Sequence, residues 1–345
     1  MNRLPFKTFR NIADKLNHKL SEAEHKKLTN EINSYKAPPY LKPGDTVAIT
    51  CPAKKLPRNI EDAVKLLESW DLNVILGETV YASWNQFAGD DELRTNDFQR
   101  FLNDSSVKAI FAARGGYGTI RIIDRLDFSG FSNHPKWIIG FSDITVLHSH
   151  IQSLYKTESI HGQMPLTIRE GSEISIETLR KALFNEEINY TYTSKANNKS
   201  GEAEGILIGG NLSLLVMMSG SVSEQDFSGK ILFLEDVGEY LYSIDRMMWN
   251  LKRAGKLKDL KGLIIGGFTE LKDNDIPFGQ TAEQIIMEHV KDFDYPVCFN
   301  FPAGHLPDNR ALIFGRMSRL KVDGQQVDLS YLGIDPKSSL QSQLK

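Results

Sequence analysis

The feature that most constrains the fold is a regular alternation of short apolar runs with segments of helical periodicity. The runs of strand character are TVAIT (46–50), NVIL (73–76), VKAIFAA (107–113) and WIIGF (137–141). The predicted helices are 59–70, 90–102, 119–126 and a segment from Ile144 onward. Strands that alternate with helices form a parallel sheet with right-handed crossovers. The first half of the chain therefore predicts a doubly wound, flavodoxin-like α/β domain.

A second unit follows a polar stretch that is typical of a linker. Its predicted strands are 230–236, 261–268 and 296–301, and its predicted helices are 243–254 and 281–290. Asp323-Gly324 is a hairpin-type turn, so this domain is expected to be mixed, with antiparallel elements near its end. The predicted division is an amino-terminal arm (1–37), a first domain (38–185), a linker (186–202) and a second domain (203–345).

Composition excludes several classes of function. A net charge of −3 over 345 residues gives no electrostatic reason to expect nucleic acid as a partner. No apolar run reaches the 18 residues of a membrane span, and the amino terminus lacks the apolar core of a signal peptide. Cys51 and Cys298 lie in or at the end of apolar runs, as free buried thiols do, so the cytoplasm is the expected compartment. His148 and His150 would point to different faces of a helix, and no metal or other cofactor is expected.

The arm has a different character from the rest of the chain. It carries eight Lys and Arg against four acidic residues, with apolar residues at helical spacing and a capping box at Ser21–Glu24. A basic amphipathic helix can bind a membrane surface. Packing on its own body or on a sister subunit is the favoured interpretation.

Ser142 ends an apolar strand and opens a predicted helix. The carboxyl ends of strands are where open α/β sheets bind ligands and display nucleophiles. A serine at such a junction is more often a helix N-cap. Local pattern therefore leaves two interpretations open, a cap and a nucleophile.

The segment ARGGYGT (113–119) lies at the end of another predicted strand. It matches neither the dinucleotide fingerprint nor a phosphate loop, because the glycine spacing differs and no Gly-Lys-Ser/Thr follows. One interpretation is a tight turn that needs glycine. The other places the amides of Gly115 or Gly116 opposite Ser142, with the Asp143 amide as a second donor to an oxyanion.

Two further residues suit an acid and a base. Glu235 ends a buried apolar run, with Asp236 and Glu239 as rival carboxylates. His305 lies in a loop rich in Pro, Gly and Asn, and His161 is its one serious competitor. The order nucleophile, acid, base also occurs in α/β-hydrolases, but GFSDI is not G-x-S-x-G, so that fold is not supported.

Longer motifs make the sequence resemble the LD-carboxypeptidase family, the S66 serine peptidases that include murein tetrapeptide carboxypeptidases and microcin C immunity hydrolases. The motifs run in family order over about residues 38–320. They are PPYLKPGDTVAITCPA, ARGGYGTIRIIDRLDF, IIGFSDITVLH, IHGQMP, GILIGGNLSLL, LFLEDVGEYLYSIDRMMWNLKRAG, GLIIGGFT and FPAGHLPDNRALIFG. Eight ordered motifs make a chance match very improbable.

The resemblance implies a nucleophile at Ser142, an acid at Glu235 and a base at His305, in a cleft between the two domains. It implies a cytoplasmic, metal-free homodimer that releases the terminal D-alanine of a murein tetrapeptide in peptidoglycan recycling. Residues expected to contact substrate are Arg114, Tyr117, Asn211 and Arg310. The alternatives are a microcin-type hydrolase that cleaves aminoacyl-nucleotide amides and a catalytically silent binding protein. Gln163 stands where the family usually has proline, which is expected to reshape a pocket wall, and the arm has no counterpart.

Overall fold

The computed structural model describes residues 35–332, so most of the predicted arm and the last 13 residues lie outside the described part. The strands are β1 (Thr46–Thr50), β2 (Asn73–Leu76), β3 (Val107–Ala112), β4 (Trp137–Gly140), β5 (Ser159–His161), β6 (Asn189–Thr193), β7 (Gly201–Asn211), β8 (Lys230–Val237), β9 (Gly262–Thr269), β10 (Val297–Cys298), β11 (Leu312–Phe314), β12 (Met317–Asp323) and β13 (Gln326–Tyr331). The helices are α1 (Glu61–Ser69), α2 (Asp91–Asn103), α3 (Thr145–Tyr155), α4 (Glu173–Leu183), α5 (Leu212–Met217), α6 (Leu241–Arg253) and α7 (Ala282–Val290). In this part of the chain no helix is long and apolar enough to cross a bilayer.

The first sheet has six strands in the order β11-β5-β4-β3-β1-β2. Five are parallel, as the alternation predicts, and β3 and β4 are almost wholly buried because helices cover both faces. The sixth strand, β11, comes from the far end of the chain and pairs antiparallel with β5. The prediction of a mostly parallel first domain is confirmed.

The second sheet has seven strands in the order β10-β9-β8-β7-β12-β13-β6. Strands β7 to β10 are parallel, whereas β12, β13 and β6 are antiparallel to their neighbours. The mixed second domain is therefore confirmed. Strand β6 lies inside the segment predicted as a linker, where Tyr190 and Tyr192 alternate with polar residues and turn their rings toward the core.

Two predicted elements differ in the structure. Residues 119–126 form two short 3-10 turns instead of one helix, in a segment with several β-branched residues of low helix propensity. The strand predicted over 296–301 ends at Cys298, because Asn300 adopts a left-handed conformation with φ 59° that a strand cannot continue through.

The chain crosses from the first sheet to the second between β11 and β12. Arg316 lies at this crossing, where its guanidinium forms a buried ion pair with Glu158 of the first domain. The same side chain donates a hydrogen bond of 2.8 Å to the hydroxyl of Tyr40. Burial lowers the pKa of Arg316, but the interaction with Glu158 outweighs that effect, so the net shift of the Arg316 pKa is upward.

A second contact joins the carboxyl ends of the two sheets. The backbone N–H of Asn211, at the end of β7, donates to Thr145 Oγ1 at the start of α3, over 3.0 Å. A methyl group on Gly210 would lie 2.5 Å from the same oxygen, so only glycine allows this approach. The residues that follow β4 and those that follow β7 and β8 are thereby brought together.

Replacing Arg316 by Met should lower the free energy of unfolding by about 3–5 kcal/mol, because Glu158 would be left buried without its partner. Denaturant titration measures this loss. The matched control is Arg319→Met, which breaks a more exposed ion pair with Glu204 and should cost less than about 1 kcal/mol. Equal losses in the two variants would contradict the role given to the buried pair.

Candidate active site

Ser142 occupies a sharp turn between β4 and α3. Phe141 is extended, with φ −147°, and Ser142 has the left-handed φ of 62°. This conformation costs a residue with a side chain about 1–2 kcal/mol, and such strain is often found at functional sites. The N-cap of α3 is Ile144, and no side chain caps either this helix or the turn before it. The structure therefore does not support the N-cap interpretation of Ser142.

His305 and Glu235 form a hydrogen-bonded pair. The distance from His305 Nδ1 to Glu235 Oε2 is 2.5 Å, and because a carboxylate only accepts, Nδ1 carries the proton. The Glu235 side chain is fully buried and that of His305 is 20% exposed. The imidazole also contacts the ring of Phe141 edge to face at 5.0 Å. His305 thus lies beside the residue that precedes Ser142, with Nε2 as the nitrogen left for a nucleophile.

A bulge in β9 places the loop that carries His305. Leu234 pairs with Ile265 but Asp236 pairs with Phe268, so β9 has one extra residue at Gly266-Gly267. The Gly267 N–H donates to Ala303 O over 2.8 Å, which draws the 303–306 segment onto the sheet. Gly304, with φ 107°, then lies so close that a methyl group there would be 2.8 Å from Glu235 Cβ.

Several charges act on His305. Burial lowers its pKa, whereas the charge and hydrogen bond of Glu235 raise it, and Asp236 and Glu270 act in the same direction. The net effect is a pKa above the usual value. An imidazole with such a partner is a stronger base than a free one.

Asp236, the rival carboxylate, has other partners. It accepts hydrogen bonds of 2.9 Å from Asn211 Nδ2, from Ser213 N and from Val237 N. Burial and the charge of Glu235 raise its pKa to about 6. Asp236 therefore holds the start of α5, and of these two neighbouring carboxylates it is Glu235 that bonds His305.

The glycine-rich loop lies against the Ser142 turn. A methyl group on Gly115 would be 3.1 Å from Ser142 Cβ and 3.2 Å from the Asp143 nitrogen. The Asp143 carboxylate accepts the Thr119 N–H over 2.9 Å and so ties the loop to the turn. Arg94, fully buried on α2, donates to Gly118 O over 2.9 Å. The structure thus brings Gly115 and the Asp143 amide together beside Ser142.

Gly116 has a different neighbour, Lys54. Its φ is 106°, and a methyl group there would lie 2.6 Å from the Cδ atom of Lys54. The Lys54 side chain therefore covers the outer side of the loop, and sequence reasoning missed it because no motif spacing points to this lysine.

The four predicted substrate contacts have different surroundings. Tyr117 is 43% exposed, whereas Arg114 donates to Lys55 O over 2.8 Å and Arg310 pairs with Asp308 at 2.9 Å. Asn211 caps α5 and bonds Asp236, so its polar groups are used within the protein. Of the four, the structure leaves Tyr117 the most accessible.

The sequence patterns also did not predict a row of aromatic residues next to Tyr117. The Phe87 ring lies 6.1 Å from Tyr117 and 6.1 Å from Trp84, which is 47% exposed. Trp84 and Phe87 bond each other through their backbones around a turn in which Asn85 has φ 52°. Asparagine between two aromatic residues was the available signal, since it favours left-handed turn positions.

Gln163 is buried and bonds the loop that follows His305. Its Nε2 donates to Pro307 O over 2.9 Å and to Ser175 Oγ over 3.1 Å, and its Oε1 accepts from Thr167 at 2.6 Å. It therefore fastens this loop to the first domain. Among the residues that the structure describes, no group of three or more His, Cys, Asp or Glu could hold a metal ion.

Fold and site define a two-domain α/β protein in which a buried carboxylate bonds an imidazole next to the residue that precedes a serine in a left-handed turn. Comparison with protein-family models identifies the family. Residues 47–162 match the LD-carboxypeptidase N-terminal domain and residues 204–320 match the LD-carboxypeptidase C-terminal domain. The chain belongs to the LD-carboxypeptidase family of hydrolases, and the family predicted from the motifs is confirmed.

Curated relatives have similar lengths. The chain is 36% identical to a probable murein peptide carboxypeptidase of Bacillus subtilis, over 81% of this chain and 89% of that one. It is 30% identical to a murein tetrapeptide carboxypeptidase of Pseudomonas aeruginosa, over 80% of this chain and 92% of that one. These proteins share the family and most of their length with it.

Solved structures agree on the fold. A muramoyltetrapeptide carboxypeptidase from Oxalobacter formigenes superposes with a TM-score of 0.75 at 29% identity, covering 83% of this chain and 98% of that one. MccF in complex with glutamyl sulfamoyl guanosine superposes with a TM-score of 0.77 at 20% identity, covering 86% and 98%. The second likeness concerns the fold alone.

The raised pKa of His305 predicts an acid limb in the reactivity of Ser142. A base works only when unprotonated, so modification of Ser142 by an organophosphonate should slow as the pH falls through a midpoint above about 6.5. Glu235→Gln removes the charge that raises this pKa and should move the midpoint downward. Rates measured from about pH 5 to pH 9 test both statements. A midpoint that stays in place in Glu235→Gln would contradict the assignment of the pair.

Proposed function

We propose that this protein is a serine-type LD-carboxypeptidase that releases the terminal D-alanine of murein tetrapeptide during peptidoglycan recycling. The observation that carries the proposal is the Glu235–His305 hydrogen bond beside the left-handed turn at Ser142. The murein peptidases among its relatives support the choice of substrate. The active site lies between the two domains, because Ser142 follows β4 and its partners belong to the second domain. The cytoplasmic location and the homodimer stay predictions.

The first chemical step forms an ester. His305 Nε2 takes the proton of the Ser142 hydroxyl, whose oxygen attacks the carbonyl carbon of the scissile amide. Glu235 keeps the proton on Nδ1 and stabilises the imidazolium that forms. The amides of Asp143 and of the Gly115–Gly116 segment donate to the oxyanion. The C–N bond then breaks, and the imidazolium gives its proton to the leaving amine of D-alanine.

The second step releases the peptide. A water molecule loses a proton to His305 as its oxygen attacks the ester carbonyl, and the Ser142 oxygen leaves with that proton. The same donors stabilise the second tetrahedral intermediate. Recognition of the D-alanine carboxylate needs a cation or helix-start amides. Arg114 and Arg310 are candidates for the cation, and Lys54 beside Gly116 is a third.

The direct test is release of D-alanine from murein tetrapeptide. Ser142→Ala and His305→Ala should lower kcat by at least about 10³-fold, and Glu235→Gln by about 10²–10⁴-fold, with folding retained. The wild-type rate should be the same with and without a chelator. Activity that survives Ser142→Ala would overturn the proposal. An aminoacyl sulfamoyl adenylate, run in parallel, shows whether amides of the microcin type are cleaved faster.

Gly115→Ala tests the oxyanion donors. The added methyl group would lie 3.1–3.3 Å from Ser142 Cβ, Asp143 N and Phe141 O, in the path to the Asp143 amide. We expect kcat to fall by about 10²–10³-fold while the melting temperature changes little. Gly130→Ala is the control, because a methyl group there meets nothing within 4 Å. If both variants keep wild-type kcat, the donors are not at this position.

A further inference from the structure

His161 is a buried polar residue that the proposed mechanism does not use. It ends β5, has no exposed surface, and neither ring nitrogen has a hydrogen-bond partner within the usual geometric limits. Burial lowers its pKa well below the usual value, and the neighbouring His148 and His305 act in the same direction. The ring is therefore neutral, with one N–H donor and one acceptor nitrogen.

The surroundings of His161 would suit a phenylalanine. Its ring centre lies 5.1 Å from that of Phe233, 5.5 Å from Phe314 and 5.7 Å from Phe141. A polar group buried without good partners destabilises a fold, whereas an apolar ring of similar shape does not. Stability alone therefore does not explain a histidine here.

The position of these aromatic neighbours connects His161 to the candidate site. Phe141 precedes Ser142 and also contacts His305. Phe233 lies two residues before Glu235 on β8, so their side chains share one face of the strand. His161 thus lies behind the Ser142 turn and the Glu235–His305 pair.

Asn309 is a second buried polar residue, and its side chain suits a hydrogen bond with His161. It is fully buried, its Oδ1 accepts the Gly304 N–H over 2.8 Å, and its Nδ2 has no other partner. Leu312 of β11 pairs with His161, which places Asn309 just before that strand and near the imidazole. An amide that accepts through oxygen has its N–H groups to donate, and the neutral imidazole has a nitrogen to accept one.

We propose that His161 is a positioning residue, whose ring nitrogen accepts the Asn309 side-chain N–H and thereby orients Asn309 to hold Gly304 and keep His305 aligned with Glu235 and Ser142. This inference rests on the proposed triad. Gly304 connects Asn309 to the Glu235–His305 pair, since it precedes His305 and packs against Glu235. His161 touches neither substrate nor the reacting atoms and acts through Asn309.

The test compares His161→Phe with wild type by two measurements. The second-order rate of Ser142 modification by an organophosphonate reports on the base without any assumption about substrate. The rate and kcat should each fall by about 10–100-fold, while KM stays within about twofold and the melting temperature is unchanged or higher. His161→Asn or His161→Gln, whose amides can replace one ring nitrogen each, should recover part of the rate.

The matched control is His150→Phe, another buried histidine of the first domain, which bonds Ser223 and packs on Phe128 away from the site. It should keep the wild-type rate. The double variant His161→Phe/Asn309→Ala should lose no more than the worse single variant, because both changes break one chain of contacts.

Four results would overturn the inference: a His161→Phe rate within about twofold of wild type, additive losses in the double variant, an equal loss in His150→Phe, or a marked drop in melting temperature. If the wild-type protein does not release D-alanine but His161→Phe shows the predicted fall in modification rate, the proposed substrate is refuted and the role of His161 is supported.

Discussion

The candidate site depends on the close contact between the carboxyl ends of β4 and β7. Ser142 follows a strand of the first sheet, whereas Glu235 and the His305 loop are carried by the second. The Asn211 N–H bonded to Thr145, next to a glycine with no room for a side chain, fixes the distance between the two sheets. The ion pair of Arg316 with Glu158 fixes the same two domains at the crossing from β11 to β12. Neither domain alone could assemble the three side chains.

The two neighbouring carboxylates of β8 have separate tasks because successive side chains of a strand point to opposite faces. Glu235 faces the His305 loop, and Asp236 faces the start of α5 and accepts three N–H groups, two from that helix start and one from Val237. The charge of Glu235, so close in a buried place, raises the pKa of Asp236. The N–H donors of Asp236 and the imidazole of His305 offset that cost on either face.

The sequence predicted the parts of the fold that repeat. Apolar runs and helical periodicity predicted β1 to β4 of the first sheet and β8, β9 and β10 of the second. They could not predict β11, because three buried residues carry no period and their partner strand lies far away in the chain. Strand β6 was predictable, since Tyr190 and Tyr192 alternate with polar residues. The polar residues around it instead suggested a linker.

For the site, the local sequence pattern left two interpretations of Ser142 open, a helix N-cap and a nucleophile. The proposed partners of Ser142 lie far downstream, and only the ordered motifs of the family connected them. The choice between Glu235 and Asp236 depends on which face of β8 each side chain points to. The position of His305 depends on the extra residue in β9. These are tertiary facts that neither composition nor spacing contains.

Some features that destabilise the molecule lie at this site. Ser142 is held in a left-handed conformation, and Glu235 Oε1 is buried without a partner. Each such feature costs about 1–3 kcal/mol, so packing elsewhere must offset them. Gln163 belongs to that support, because its bonds to Pro307, Ser175 and Thr167 hold the loop after His305. Gln163 therefore restrains the loop that carries the proposed base, His305.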